Sequence, residues 1–260
     1  MLEINYDTKL LGVVGENISY TLSPAIHNYS FQELGINAVY LAFDIKSDEF
    51  KEIFPGLVKI AYGLNITIPY KEIAIKYVEA QSEAKRIGAI NTIFNGKGYN
   101  TDYIAIKSLV QERIDKFETC TIFGAGGAAR AAIFALHDLD CSINVINRSK
   151  EKAEKLIEEM RNKNIEIKIT YNCKSDIIVN STPNPDFVPD ECVNGKLVID
   201  FVYKPVITSL IKRAQNKNIK TINGIEILVR QAMEAEKIWF GKSLEDEEVV
   251  NYLYARKLIW

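Results

Sequence analysis

A glycine-rich turn that begins at Gly124 carries the clearest chemical signal in this chain of 260 residues. It follows a short, largely apolar run at residues 121–123 and precedes an alanine-rich stretch, so it joins a predicted strand to a predicted helix. There Gly124 permits a tight turn, Gly126 lets a pyrophosphate approach the backbone, and Ala129 lets helix and strand pack closely. The helix N-terminus adds free N–H groups and a dipole that favours phosphate. We predict a dinucleotide site at Gly124, Ala125, Gly126, Gly127 and Ala128; the plainer alternative is a small-residue helix packed on a strand without a ligand.

The end of the next predicted strand, residues 142–146, indicates which dinucleotide would bind. An NAD site usually has Asp or Glu about 20 residues after the glycines, to accept a hydrogen bond from the ribose 2′-hydroxyl. This chain has Asn147-Arg148-Ser149 instead. The Arg148 guanidinium can pair with a 2′-phosphate and stack on adenine, and Asn147 and Ser149 add uncharged hydrogen-bonding groups. The pattern favours NADP(H), although Ser149 could also cap the following helix while Arg148 points to solvent.

Three polar clusters in the first half of the chain fall where predicted strands end. They span residues 15–24, 65–71 and 88–92, and the third continues at 98–102. Ligand sites in α/β proteins form at the carboxyl ends of strands, so these clusters indicate a site for a small polar molecule.

The elements that position these groups follow an α/β pattern, since short apolar runs alternate with amphipathic stretches. We predict strands at 10–15, 39–44, 63–67 and 89–94, then at 119–123, 142–146, 177–179, 197–201 and 220–222. A first helix is capped by Ser23, has Pro24 in its first turn and ends before Gly35. Further helices are predicted at 102–118 and 225–240, and a last one begins at Ser243 with Asp246 in a capping-box-like position.

The pattern divides the chain into an α/β domain with a largely parallel sheet at 1–104 and a Rossmann-type domain at 105–224. The closing segment, 225–260, has helices but no strand left to pair in the second half. We therefore expect these helices to return to the N-terminal domain and leave a cleft between the two domains.

The composition of the chain argues against several classes of function. A net charge of −2 and a pI near 5.9 give no reason to expect nucleic acid or an anionic membrane as a partner. Widely spaced cysteines and only two histidines make a zinc site unexpected, and we expect reduced thiols in a cytoplasmic protein. The N-terminal residues have acidic side chains and no long apolar run, so neither a signal peptide nor a membrane span is predicted. The sequence does not distinguish between a monomer and a homodimer.

Taken together, the clusters, the glycine turn and Asn147-Arg148-Ser149 resemble the shikimate dehydrogenase family. The resemblance covers nearly the whole chain and continues through Asn180-Ser181-Thr182, residues 200–205 and 224–231, and Trp239 and Gly241. It implies an NADPH-dependent, reversible reduction of 3-dehydroshikimate to shikimate, on the pathway to chorismate and the aromatic amino acids. The first domain would then be the substrate-binding and catalytic one, and the second would bind NADP.

The resemblance also implies residue roles. Thr21 and Ser23 would bind the substrate carboxylate with Tyr203 nearby, and Thr67, Asn91 and Gln231 would bind elsewhere on the substrate. Lys71 and Asp102 match the family's catalytic pair. A lysine ammonium can stabilise the charge that develops on a ketone oxygen and donate the proton, and Asp102 could hold it in place. Further cofactor contacts would come from Thr182, Phe201 and Gly224.

Plainer alternatives stay open for several of these residues. Lys71 could be a surface lysine, Asp102 a helix cap, Gln231 a solvent-facing residue, and His27 suits a structural role better than that of a base. The chain also departs from the family pattern, with Thr21 where many members have Ser, Pro183-Asn184-Pro185 where Gly-Met is frequent, and Ile227 where Met is frequent. Rival functions are a quinate or dual-specificity dehydrogenase and a non-catalytic NADP-binding regulator.

Overall fold

A computed structural model of the chain describes residues 4–170 and 172–260. They form two compact units. The first comprises the described residues up to Thr101 together with Val229–Leu258, and the second comprises Asp102–Leu228 and Ile259–Trp260. Within these ranges no helix is long and apolar enough to cross a membrane, and no three His, Cys, Asp or Glu side chains are grouped so as to hold a metal ion.

The first unit is built on a sheet of six described strands in the order β2-β1-β3-β5-β6-β4. The strands are β1 (Lys9–Gly15), β2 (Ala38–Asp44), β3 (Gly63–Ile66), β4 (Glu79–Ala80), β5 (Thr92–Phe94) and β6 (Lys97–Tyr99), and the helices are α1 (Ser23–Glu33), α2 (Phe50–Ile60) and α3 (Ser82–Ile87). β1 pairs in parallel with β2 and β3, whereas β5 is antiparallel to both β3 and β6. The strand predicted at 89–94 is therefore shorter than expected and belongs to a hairpin.

The second unit has a fully parallel sheet in the order β12-β11-β10-β7-β8-β9. Its elements are α4 (Thr101–Arg113), β7 (Thr119–Phe123), α5 (Gly127–His137), β8 (Ser142–Ile146), α6 (Lys150–Arg161), β9 (Ile167–Ile169), β10 (Ile177–Asn180), β11 (Leu197–Asp200), α7 (Ser209–Asn216) and β12 (Lys220–Ile222). This is the dinucleotide-binding strand order, whose switch point lies between β7 and β10. Ligands bind in such sheets beyond the carboxyl ends of the strands at that point.

The chain ends with α8 (Gly224–Phe240) and α9 (Asp246–Ala255). From Val229 onward these helices belong to the first unit, which confirms that they return to the N-terminal domain. Trp239 of α8 is buried with Phe31 of α1 and Tyr40 of β2 on one face of the first sheet. Phe50 and Phe54 of α2 are buried in a second cluster of that unit. Burial of such large aromatic side chains provides much of the hydrophobic stabilisation that holds helices on a sheet.

Two predicted helix caps are wrong. α1 begins at Ser23 itself, with Leu22 as its N-cap and no side-chain cap. The Ser23 hydroxyl instead accepts a hydrogen bond from the Thr21 hydroxyl, at 3.2 Å. α9 begins at Asp246 rather than near Ser243, and its N-cap is Glu245, again without a side-chain cap. The joining helix α4 also ends at Arg113, earlier than the predicted residue 118.

The expectation of four reduced thiols is wrong as well. Cys173 and Cys192 form a disulfide, with their Cα atoms 5.2 Å apart, while Cys120 and Cys141 are free and buried. Sequence spacing did not indicate the bond, because the two cysteines are 19 residues apart and meet only when the chain after β9 packs against the chain before β11. Both belong to the hydrophobic cluster that contains Phe123.

Candidate functional site

The glycine turn lies at the switch point of the second unit, directly after β7. Gly124 has a φ of +119°, and a Cβ there would lie 2.4 Å from the Ser181 hydroxyl, so only glycine fits. Gly126 is the N-cap of α5 and has open space where a Cβ would stand. The first N–H groups of a helix have no intrahelical partner. In α5 these N–H groups follow Gly126, which has no side chain and faces open space. The turn has the shape that phosphate binding requires.

The segment that follows β10 lies on the other side of the switch point. The Ser181 hydroxyl donates to the Phe123 carbonyl at 2.7 Å, and the Thr182 hydroxyl is 2.7 Å from Asn180 Oδ1. Pro183-Asn184-Pro185 leads into a short 3-10 helix, Pro185–Phe187, whose cap is the Asn184 side chain. This local turn chemistry replaces the Gly-Met pair frequent in the family pattern.

A buried carboxylate supports that segment; the family pattern included it within residues 200–205 but gave it no role. Asp200, at the end of β11, accepts hydrogen bonds from Asn180 Nδ2 at 2.9 Å and from the Thr208 hydroxyl at 2.6 Å. Burial raises the pKa of the Asp200 carboxyl above its usual value, and these hydrogen bonds oppose the shift. Asn180 in turn orients Thr182, so Asp200 fixes the position of a predicted cofactor residue.

Asn147-Arg148-Ser149 follows β8, the strand next to β7. The Ser149 side chain accepts from the Lys152 backbone N–H at 3.3 Å and caps α6, and Asn147 Nδ2 donates to the Ser149 carbonyl at 2.8 Å. The Arg148 side chain is exposed. Ser149 therefore has the capping role that the sequence left open as an alternative, and the exposed guanidinium of Arg148 is accessible to an anion.

The remaining predicted cofactor residues follow β11 and start α8. Phe201 is half-buried, and its N–H donates to the Asn180 carbonyl at 3.0 Å. A Cβ on Gly224 would lie 2.5 Å from the backbone of Val202, so a glycine is required where α8 begins. Tyr203 is also half-buried. It lies in the second unit, as does Asp102, and the other predicted substrate residues lie in the first unit.

In the first unit, two predicted substrate residues lie at the start of α1 and two follow β3. Thr21 and Ser23 are hydrogen-bonded to each other. Thr67 follows β3 directly and lies against Gly15 at the end of β1, since a Cβ on that glycine would be 2.5 Å from the Thr67 methyl. Lys71 is half-buried in the turn that follows. Because β1 and β3 are parallel neighbours, these residues share one edge of the sheet.

Asn91, Thr101 and Gln231 form the third part of the site. The Thr101 N–H donates to Asn91 Oδ1 at 2.7 Å, and Asn91 Nδ2 donates to the Thr101 hydroxyl at 3.0 Å and to Gln231 Oε1 at 3.4 Å. Gln231 is half-buried, not fully exposed to solvent. Asp102 comes next in the chain and is 7 % exposed. The structure thus joins Asn91 with Gln231, 140 residues apart, which no local pattern could indicate.

Comparisons with known proteins match both halves of the chain. The family model described as "Shikimate dehydrogenase substrate binding domain" matches residues 13–93, and "Shikimate / quinate 5-dehydrogenase" matches residues 108–198. A shikimate dehydrogenase (NADP(+)) of Sulfolobus acidocaldarius is 63% identical over 100% of both chains. The chain belongs to the shikimate dehydrogenase family.

Solved structures of the family agree with this assignment. A shikimate dehydrogenase in complex with NADP+ is 36% identical, covers 98% of this chain and 97% of its own, and has a TM-score of 0.88. The Thermus thermophilus enzyme in complex with NADP(H) and shikimate is 28% identical, covers 96% and 100%, and has a TM-score of 0.84. As a member of the shikimate dehydrogenase family, this chain is an NADP-dependent oxidoreductase. The sequence-based predictions of family, fold class, enzyme class and cofactor are confirmed.

Proposed function

We propose that the protein catalyses the reversible, NADPH-dependent reduction of 3-dehydroshikimate to shikimate, with Lys71 as general acid/base and Asp102 assisting it. The observation that carries the proposal is that the chain retains both residues within a full-length match to the family. A non-catalytic regulator of the same fold would have no need of them.

The cofactor residues fit the group that the family implies. Gly126 leaves open space for a pyrophosphate at the N-terminus of α5, Gly124 permits the turn that precedes it, and the exposed Arg148 offers a cation for a 2′-phosphate. Thr182, Phe201 and Gly224 would complete the contacts. When bound, the dinucleotide supplies the hydride, while the protein supplies binding, orientation and proton transfer.

The substrate is a six-membered ring with hydroxyls and one carboxylate, which hydrogen-bonding side chains can recognise. Thr21 and Ser23 would donate hydroxyl hydrogens to the carboxylate, with Tyr203 nearby. Thr67, Asn91 and Gln231 would bind the ring hydroxyls. A site that leaves such groups unpaired discriminates strongly against analogues without a hydroxyl.

Lys71 would act on the ketone oxygen. Negative charge grows there as the carbonyl carbon is reduced, and the lysine ammonium would stabilise that charge and transfer a proton from Nζ to the oxygen. Asp102 would orient the ammonium and accept a hydrogen bond from a ring hydroxyl. In the reverse direction the neutral Lys71 would take the proton back.

A spectrophotometric assay that crosses shikimate and quinate with NADP+ and NAD+ tests the proposal. We expect the highest kcat/KM for shikimate with NADP+. Preference for quinate, or for NAD+, would favour the rival dehydrogenase activity, and no turnover with any pair would favour a regulator. Ser23→Ala should raise the KM for shikimate, whereas Ser82→Ala, on α3, is the matched control and should not.

We further propose that the protein acts in the cytoplasm, because its substrate and NADP(H) are water-soluble metabolites. Small molecules would be its partners, and it would be a monomer or a homodimer. Activity measured in fractionated cells tests the first point, and light scattering during size-exclusion chromatography tests the second.

A further inference from the structure

Tyr40, on β2, is completely buried. Its hydroxyl donates a 2.6 Å hydrogen bond to Asn65 Oδ1, two residues before the proposed substrate residue Thr67. Burial raises the pKa of Tyr40 well above its usual value, and the nearby Glu236 carboxylate raises it further. The phenol therefore keeps its proton and stays a donor to Asn65.

From Asn65 the hydrogen bonds continue to Asn91. Asn65 Nδ2 donates to the Asn91 carbonyl at 3.1 Å and to the Thr92 hydroxyl at 3.0 Å. The Thr92 hydroxyl donates to Asn91 Oδ1 at 3.1 Å. Asn65, Asn91 and Thr92 are all buried, so each bond is shielded from water, which cannot replace a partner that is lost. The orientation of the Asn91 amide thus depends on Asn65, which depends on Tyr40.

The ring of Tyr40 is held by a second buried group. It stacks on His27 of α1, with ring centroids 4.3 Å apart. His27 Nδ1 lies 2.7 Å from Glu236 Oε1 on α8, and the Ser30 hydroxyl donates to Glu236 Oε2 at 2.5 Å. His27, Ser30 and Glu236 are all fully buried. This group ties α1, which begins at Ser23, to α8, which carries Gln231.

We propose that Tyr40 is a positioning residue that orients the Asn91 amide through Asn65, and so fixes the group that would bind a ring hydroxyl of the substrate. This inference rests on the proposed function, since it takes Asn91 as a substrate ligand. Tyr40 does not touch the substrate in this role. It acts through the hydrogen bond from its hydroxyl to Asn65.

Tyr40→Phe removes that hydroxyl and leaves the ring on His27. Tyr62→Phe is the matched control, because Tyr62 lies in the same unit and its hydroxyl donates to the Trp239 carbonyl at 3.1 Å, away from Ser23 and Asn91. We expect Tyr40→Phe to raise the KM for shikimate roughly tenfold, the effect of one buried hydrogen bond. Its KM for NADP+ should stay within about twofold, and Tyr62→Phe should change neither KM.

The thermal midpoint of each variant separates positioning from stability. A purely structural tyrosine would lower the midpoint and leave both KM values unchanged, and that result for Tyr40→Phe would overturn the inference. An equal rise in the shikimate KM of both variants would also overturn it. If Tyr40→Phe does not fold, Thr92→Val breaks the same hydrogen-bonded path between Asn65 and Asn91. An unchanged KM for shikimate in Thr92→Val would also overturn the inference.

Ser23→Ala distinguishes this inference from the proposed function. If Ser23→Ala leaves the shikimate KM unchanged, the proposed substrate site is wrong, and the inference is lost with it. If Ser23→Ala raises the KM and Tyr40→Phe does not, only the inference fails. In the Asn91→Ala/Tyr40→Phe double variant we expect a smaller effect on the KM than the product of the two single effects, because Tyr40 acts on the substrate through Asn91.

Discussion

Arg130 and Glu159 form an ion pair that joins α5 to α6. Arg130 donates to Glu159 Oε2 from Nη2 at 2.7 Å and from Nε at 3.2 Å, and its Nη1 lies 3.4 Å from the Ala125 carbonyl. The arginine is only 7 % exposed. It therefore connects the glycine turn with the helix that follows Asn147-Arg148-Ser149, so one side chain holds both halves of the proposed cofactor site.

Arg130→Lys should weaken NADPH binding about tenfold, because a lysine keeps the charge but lacks the planar set of donors that reaches two partners. The KM for shikimate should stay the same. Fluorescence titration with NADPH measures the affinity, and Arg161→Lys, at the exposed end of α6, is the control. An unchanged affinity for NADPH in Arg130→Lys would show that the pair does not shape the cofactor site.

Arg148→Asp tests the assignment of the 2′-phosphate. A carboxylate in place of the exposed guanidinium would repel that phosphate, so the affinity for NADPH should fall at least about tenfold more than the affinity for NADH. Parallel titrations with the two cofactors measure this difference, with Arg161→Asp as control. Equal losses for the two cofactors would mean that Arg148 contacts another part of the dinucleotide.

Lys71→Met should lower kcat by roughly 10² or more, as expected when a positioned acid/base is removed. The thermal midpoint should change little, because Lys71 is only half-buried. Lys76→Met is the control, since Lys76 is an exposed lysine in the 3-10 helix Ala74–Tyr77 that follows. Near-normal turnover of Lys71→Met would remove Lys71 from the mechanism.

The sequence predicted those parts of the fold that depend on local patterns. The Rossmann-type unit could be recognised because strand, glycine turn and helix are contiguous at residues 119–137. Ser149 caps α6, which the sequence had left open as an alternative. The helix caps predicted at Ser23 and Ser243 were wrong because a serine before a helical pattern can form a hydrogen bond outside the helix. Ser23 does so with Thr21. Tyr40 gave no signal, because its partner Asn65 lies on another strand, 25 residues away. Asp200 belongs to the family pattern at residues 200–205, but its hydrogen bond to Asn180 on the neighbouring strand could not be inferred from that pattern.

The disulfide between Cys173 and Cys192 should stabilise the second unit. Closing a loop of 19 residues restricts the unfolded chain and contributes about 3 kcal/mol in the chain-entropy treatment. Urea unfolding with and without dithiothreitol measures the contribution. The Cys173→Ser/Cys192→Ser variant should be as stable as the reduced protein and should not respond to the reductant. If the reductant does not affect the wild-type protein, the bond contributes nothing to stability.

Asp176 gives the second unit a stability that depends on pH. Its carboxylate accepts from the Glu118 N–H at 2.8 Å and the Thr119 N–H at 3.3 Å, and it pairs with Lys196 Nζ at 3.0 Å. The backbone hydrogen bond from Glu118 is the main cause that lowers the pKa of Asp176, and Lys196 adds to it.

Because the pKa is lower in the folded protein than in the unfolded chain, the ionised form of Asp176 stabilises the fold. This contribution is complete above the unfolded value, about 3.9, and is lost as the pH falls through the lower folded value. Asp176→Asn should therefore lower the thermal midpoint at pH 7, and its difference from the wild type should shrink as the pH falls below about 3.9. Glu166→Gln, whose side chain is 85% exposed, is the control and should change the midpoint little at any pH. An Asp176→Asn difference that stays constant across this range would mean that the charge of Asp176 does not stabilise the fold.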